Sequence, residues 1–146
     1  VTTGEVTASV VVHAPPERVW AMLVAWERQG EWMFATSVDG TADEVGGRLA
    51  ARTGVGPLGF TDHMIVTAWE PPTRCDVLHV GRLLRGDGGF RLEPVAGDRT
   101  RLVWWERIAV PFGPLGKVAW AVGGPVFSVF VRRSLRTFAR LVEAGA

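Results

Sequence analysis

Hydrophobic and polar residues alternate along most of this chain, and where they stop alternating the apolar positions recur at helical spacing. From Glu5 to His13, Val6, Ala8, Val10 and Val12 share one parity and Thr7, Ser9 and Val11 the other, the period-two pattern of a strand. Pro15 and Pro16 end it. A proline in a first helical turn forfeits no hydrogen bond, and Glu17 suits the positive end of a helix dipole, so a helix starts at Pro15 or Pro16. Val19, Trp20, Leu23 and Val24 keep helical spacing to about Ala25, and residues 26–32 form a second short helical turn broken at Gly30.

From Thr36 the pattern becomes a series of strands separated by turn signals: Asp39-Gly40, Gly46-Gly47, Gly54 to Gly59, Pro71-Pro72, Gly86 to Gly89 and Gly97-Asp98. The expected strands cover residues 36–42, 48–54, 59–70, 74–82, 84–94 and 99–110, seven with the first, in an antiparallel meander. After Pro111-Phe112-Gly113-Pro114 the chain turns helical, with Phe127, Val131, Ser134, Leu135, Phe138 and Val142 on one stripe and Arg132, Arg136 and Arg140 on the opposite, solvated one. Gly123-Gly124-Pro125 removes a backbone donor, so this helix is expected to kink or break there, leaving Leu115 to Val122 to move separately.

Composition narrows the class. The 146 residues fit one domain, 1–146, and with 47% hydrophobic and 21% charged residues they read as an ordinary globular chain. A formal net charge of +1 is too small for the broad positive field that nucleic acid would require, so no nucleic-acid partner is expected. Cys75 is alone, with no disulfide partner and no metal-ligand spacing around it; neither metal nor cofactor is expected, and a reducing cytoplasm fits. Val1 to Val12 lacks the basic and apolar regions of a signal peptide, and the apolar stretch Val118 to Val131 is shorter than the roughly 20 residues of a spanning helix, so no stable membrane insertion is expected. Seven Trp and seven Phe without one Tyr place large apolar surfaces somewhere in the fold.

One strand, two short helices, a six-stranded meander and a long C-terminal helix form the order of the START-like superfamily, which this chain resembles over nearly its whole length. The resemblance is carried by Ala14-Pro15-Pro16-Glu17-Arg18-Val19-Trp20 after the first strand, Trp69-Glu70-Pro71-Pro72-Thr73-Arg74 at the fourth-to-fifth strand turn, and Gly97-Asp98-Arg99-Thr100-Arg101-Leu102-Val103-Trp104 leading into the last strand. It implies an α+β helix-grip fold of the START and Bet v 1-like kind, a seven-stranded curved antiparallel sheet around the C-terminal helix. Members of such families bind lipids, polyketides, sterols or plant hormones, and some are aromatase/cyclases. The implied function is therefore binding of a hydrophobic small molecule in an internal cavity, by a monomer or homodimer. Polyketide cyclase or dehydratase chemistry in the same cavity is the first alternative, and a regulatory or scaffold protein with a filled pocket the second.

Strand parity then names the cavity's candidates, because charged residues should mark the outer face of the sheet. In the last strand Arg101 and Arg107 mark the outside and send Thr100, Leu102, Trp104, Glu106 and Ile108 inward. In the fifth, Arg74, Asp76 and Arg82 send Cys75, Val77 and His79 inward; in the sixth, Arg91 and Glu93 do the same for Phe90 and Leu92. In the fourth, Asp62 and Glu70 imply His63 and Trp69 inside, with Thr61, Ile65 and Thr67, unless a bulge reverses the strand. Glu106 and His79 are the expected acid/base pair, with His63, Trp69, Val77, Phe90, Leu92, Trp104, Ile108, Phe127, Val131 and Phe138 as ligand wall. The bland alternative is that each inward His or Glu is a structural group tied by hydrogen bonds, and that Trp20, Trp26 and Trp32 pack the short helices on the sheet. Gly54-Val55-Gly56-Pro57-Leu58-Gly59 matches a dinucleotide-binding fingerprint in spelling only, since a strand and not a helix follows it.

Overall fold

The computed structural model describes residues 2–145, so Val1 and Ala146 of the expected 1–146 unit lie outside the described residues. β1 (Thr2–Val12) leads through α1 (Pro16–Leu23) and a 3₁₀ turn over Trp26–Glu31 into β2 (Thr36–Asp39), β3 (Arg48–Val55), β4 (Leu58–Glu70), β5 (Arg74–Val80), β6 (Arg85–Val95) and β7 (Arg99–Val110). α2 (Gly113–Glu143) closes the fold. The strands make one antiparallel sheet in the order β1-β7-β6-β5-β4-β3-β2, so the first strand returns beside the last and the meander runs outward from there. The sheet is curled into a half-barrel against α2, the helix-grip fold.

The alternation read from sequence sets which face is which. β7 buries Thr100, Leu102, Trp104, Glu106 and Ile108 while Arg101 and Arg107 stay exposed. On the outer face Trp105 lies between the Arg91 and Arg107 guanidinium groups, 5.6 and 5.7 Å from its ring. Asp76, also on that face, is buried beneath Arg74 and Arg91, both of which hydrogen-bond to it. In β4 the register with β5 shifts between Val66 and Ala68, a bulge that puts one extra residue in the strand. Ahead of it Asp62 and Val66 are buried and His63 is exposed; beyond it Trp69 turns inward against Trp20 of α1, their rings edge-on at 5.1 Å.

α2 runs unbroken for 31 residues, with Pro125 inside it, and the expected interruption at Gly123 to Pro125 is absent. The exposure of the turn explains this: Ala121, whose carbonyl loses its partner to the proline, is exposed to water. The two halves of α2 are held differently. In the C-terminal half Val131, Leu135, Phe138 and Val142 are almost fully buried, and the helix end is tied down by the His13 N–H donating to Glu143 (2.8 Å) and by Arg18 donating to the Val142 carbonyl. The N-terminal half leaves Leu115, Val118, Val122 and Val126 exposed and rests chiefly on Trp120, whose ring lies over Gly4 of β1. By length and composition α2 is the one helix among the described residues that meets the criteria for crossing a membrane, with mean hydropathy 1.3 in its most apolar window.

Candidate functional site

Between the sheet and the first half of α2 lies a cavity of about 500 Å³. Its wall is mostly apolar: Val38, Leu49 and Ala51 from β2 and β3, Phe60 and Met64 from β4, Cys75 and Val77 from β5, Phe90 from β6, Trp104 from β7, and Phe127 and Phe130 from α2. Trp26 and Met33 contribute from the turn after α1. Phe60 and Val126 are lining residues that are also exposed, and they mark where the cavity meets solvent between β4 and α2. Trp32 bounds the other end, with Phe138 at 5.0 Å, Trp104 at 6.0 Å and Phe90 at 6.3 Å between ring centres. Phe90 and Trp104 line the cavity, whereas Phe138 belongs to the packed core beyond.

Three charged-type side chains interrupt this wall, and they touch one another. His79 Nδ1 lies 2.9 Å from both oxygens of Asp62, and its Nε2 lies 2.7 Å from Glu106 Oε2. Glu106 Oε1 accepts a second hydrogen bond, from Trp104 Nε1 at 3.0 Å. A neutral imidazole donates from one nitrogen only, so a ring with a carboxylate oxygen at each end is suited to the doubly protonated, cationic form. Burial by itself would lower the His79 pKa, but the hydrogen bonds to Asp62 and Glu106 and the charges of both outweigh it and push it up to about 10. His79 therefore stands as a buried cation clamped between two carboxyl groups.

The clamp depends on the strand between its members. Glu106 is on β7 and His79 on β5, two strands apart across β6, and Gly88 of β6 is the residue paired with Glu106. A Cβ at Gly88 would fall 2.4 Å from Glu106 Oε2, so only glycine leaves the carboxylate room to lean across. Cys75 also lines the cavity, but burial, helped by the neighbouring Asp76 charge, pushes its thiol up to about 12 and keeps it protonated. No cluster of three or more metal-ligating side chains occurs among the described residues.

Of the residues expected at the ligand wall, Val77, His79, Phe90, Trp104, Glu106 and Phe127 line the cavity. Six others do not. His63 faces outward because the β4 bulge shifts the parity that Glu70 implied. Trp69 is taken up by Trp20. Leu92, Val131 and Phe138 are buried in the closed core, and Ile108 pairs with Gly4, the seat of Trp120. Asp62 is the residue sequence reasoning missed: its charge marked it as outer, although Phe60, Met64 and Val66 share its parity and are all apolar. Those neighbours were the available signal. Trp26 does more than pack the short helices, since it donates to the Ala42 carbonyl at 2.8 Å and presents its ring to the cavity.

Residues 3–143 match the family model described as polyketide cyclase / dehydrase and lipid transport. The chain belongs to that family. No curated protein matches it in sequence. Solved structures of the same fold span it end to end at low identity. The protein TTHA0849 of Thermus thermophilus is 18% identical, covers 97% of this chain and 99% of its own, and superposes with a TM-score of 0.81. The Zhui aromatase/cyclase from Streptomyces sp. R1128 is 16% identical over 97% and 94%, with a TM-score of 0.78. A START superfamily protein from Mycobacterium smegmatis is 16% identical over 97% and 95%, with a TM-score of 0.68. At such identities the likeness is one of fold, and within the family the chemistry is decided by what each member's cavity carries.

Proposed function

We propose that this family member binds a hydrophobic small molecule in the cavity between its sheet and the first half of α2. The observation that carries the reading is an open, aromatic-rich space of about 500 Å³ whose acidic and imidazole side chains are gathered in one cluster. Ligand sites are commonly built this way, with apolar walls for affinity and a few polar groups for orientation. A scaffold protein with a filled pocket has no use for such a volume. Within the cluster His79 is already bonded at both nitrogens, which favours a structural and orienting role over free proton transfer.

A second reading, cofactor-independent cyclase or dehydratase chemistry, is favoured by one detail. The two oxygens of Asp62 share a single donor, so this carboxylate keeps acceptor capacity toward the cavity and suits removal of a proton α to a carbonyl. His79, with Nδ1 on Asp62 and Nε2 on Glu106, would then position the Asp62 carboxylate rather than act as the base. The resemblance of fold to an aromatase/cyclase is consistent with this and carries no substrate.

Native mass spectrometry of protein purified from its own host tests the binding reading. A co-purifying apolar molecule, displaced when Val77→Trp fills the cavity, is the expected result. Repeated recovery of empty protein, with no thermal shift from a panel of lipids and polyketides, overturns it. Turnover of such a molecule that falls at least about a hundredfold in Asp62→Asn supports the enzymatic reading, given the usual contribution of acid/base groups; unchanged turnover removes Asp62 from it.

A further inference from the structure

The charge inside the cavity constrains what can occupy it. Among the described lining residues there are two carboxylates, Asp62 and Glu106, one imidazole, His79, and no lysine or arginine. Two carboxyl groups thus flank a single imidazole within a mostly apolar wall, and no further cationic side chain lines the cavity beside them. All three groups are largely withdrawn from water, with side chains 4% exposed for His79, 9% for Glu106 and 12% for Asp62. In such surroundings an uncompensated charge acts far more strongly than it would in solvent.

The available bonding sites have the same sign. Every ring N–H of the imidazolium is already directed at a carboxylate, so the cluster has no donor left for a ligand's anionic group. What it has left is acceptor capacity. Glu106 takes one donor on each oxygen, from Trp104 and from His79, whereas both oxygens of Asp62 depend on the single Nδ1–H. Asp62 is thus the least satisfied of the three groups, and it lines the cavity. A carboxylate or phosphate placed there meets two carboxyl groups and no free donor of the cluster; an ammonium or hydroxyl meets an unfilled acceptor.

We propose that the cavity selects apolar molecules whose polar end is a hydrogen-bond donor, ammonium or hydroxyl, which binds to Asp62, and that it rejects molecules ending in a carboxylate or phosphate. This rests on the cavity reading given above and adds a sign to it. It sets the chain apart from carriers of free fatty acids, whose headgroup is of the excluded kind.

The test uses ligands matched in apolar body and differing in their polar end: naphthylmethylamine, naphthylmethanol and naphthoate, titrated calorimetrically into the whole protein near neutral pH. The amine is expected to bind at least about tenfold more tightly than naphthoate, with the alcohol between them; a dominant amine assigns the donor to ammonium, and near-equal amine and alcohol assign it to the shared N–H or O–H chemistry. In Asp62→Asn, which keeps the shape and removes the charge, the amine's advantage is expected to fall to within about threefold. Should that variant fold poorly, nuclear Overhauser contacts from the ligand's polar end to the Met64 methyl in the unmodified protein locate it beside Asp62 instead. Naphthoate binding as tightly as the amine overturns the proposal while leaving the cavity reading intact, and an amine preference that survives in Asp62→Asn overturns the assignment to Asp62. Failure of all three to bind, alongside an empty protein from the host, overturns the cavity reading and this proposal with it.

Discussion

At the scale of single residues, the arrangement around His79 is a charge problem solved by mutual contact. Any one of the three groups buried alone would be strongly disfavoured; together they satisfy one another, and removing one leaves the rest uncompensated. The consequence for pH follows from the direction of the shift. The folded-state pKa of His79 is raised from 6.5 to about 10, so folding takes up a proton and the stabilisation is fully present below 6.5. It declines above that and is lost as the pH rises through about 10. His79→Gln is therefore expected to be less stable than the unmodified protein by about 3–5 kcal/mol near pH 6, the usual range for breaking a buried ion pair. Thermal melts repeated toward pH 10 should show that gap closing from the side of the unmodified protein. A gap that stays constant across the series would mean that His79 does not carry the extra proton.

At the scale of elements, the seat of α2 is the feature most open to test. Trp120 lies over Gly4, where an added Cβ would fall 2.3 Å from the indole, so Gly4→Ala cannot be accommodated without lifting the ring. The C-terminal half of α2 has its own anchors in Val131, Leu135, Phe138 and Val142, and the expected result is local: faster amide exchange over residues 113–125, with residues 131–142 unchanged. Uniform loosening of the whole helix would count against two separately held halves. These elements also show how far the sequence could be read. Strand positions were legible because alternation is a local property, and β7 follows it along its whole length from Arg99 to Val110. The register of β4 was harder to read, since one extra residue between Val66 and Ala68 reverses every assignment on one side of it, and its one trace is that Phe60, Met64 and Val66 share Asp62's parity while Trp69 takes the other. That single slip hid Asp62 and advanced His63. The continuity of α2 through Pro125 was equally hidden, because a proline's cost depends on whether water can reach the freed carbonyl. Glu106 and His79 could be found by parity; their bond to each other across β6 could not, because it hangs on Gly88 having no side chain.

At the scale of the whole molecule, close packing and open space meet successive stretches of the same helix. Val12, Val19, Leu23 and Leu102 close with Leu135 and Phe138 at the C-terminal end of α2, while Phe127 and Phe130 near its middle face the cavity, with Trp32 between the two regions. A protein built this way keeps its fold on the closed stretch and leaves apolar surface unpaired along the other, so occupancy should register as global stability. A ligand that binds only the folded state adds about 2.7 kcal/mol at a concentration of about one hundred times its Kd. For a chain of this length that corresponds to a rise in Tm of about 5–10 °C. The rise should increase with the logarithm of ligand concentration and be absent in Val77→Trp, whose new ring takes the ligand's place. Ligand-induced stabilisation of equal size in the filled variant would move the binding site out of the cavity and onto an exposed apolar surface such as that of Leu115, Val118 and Val122 on α2.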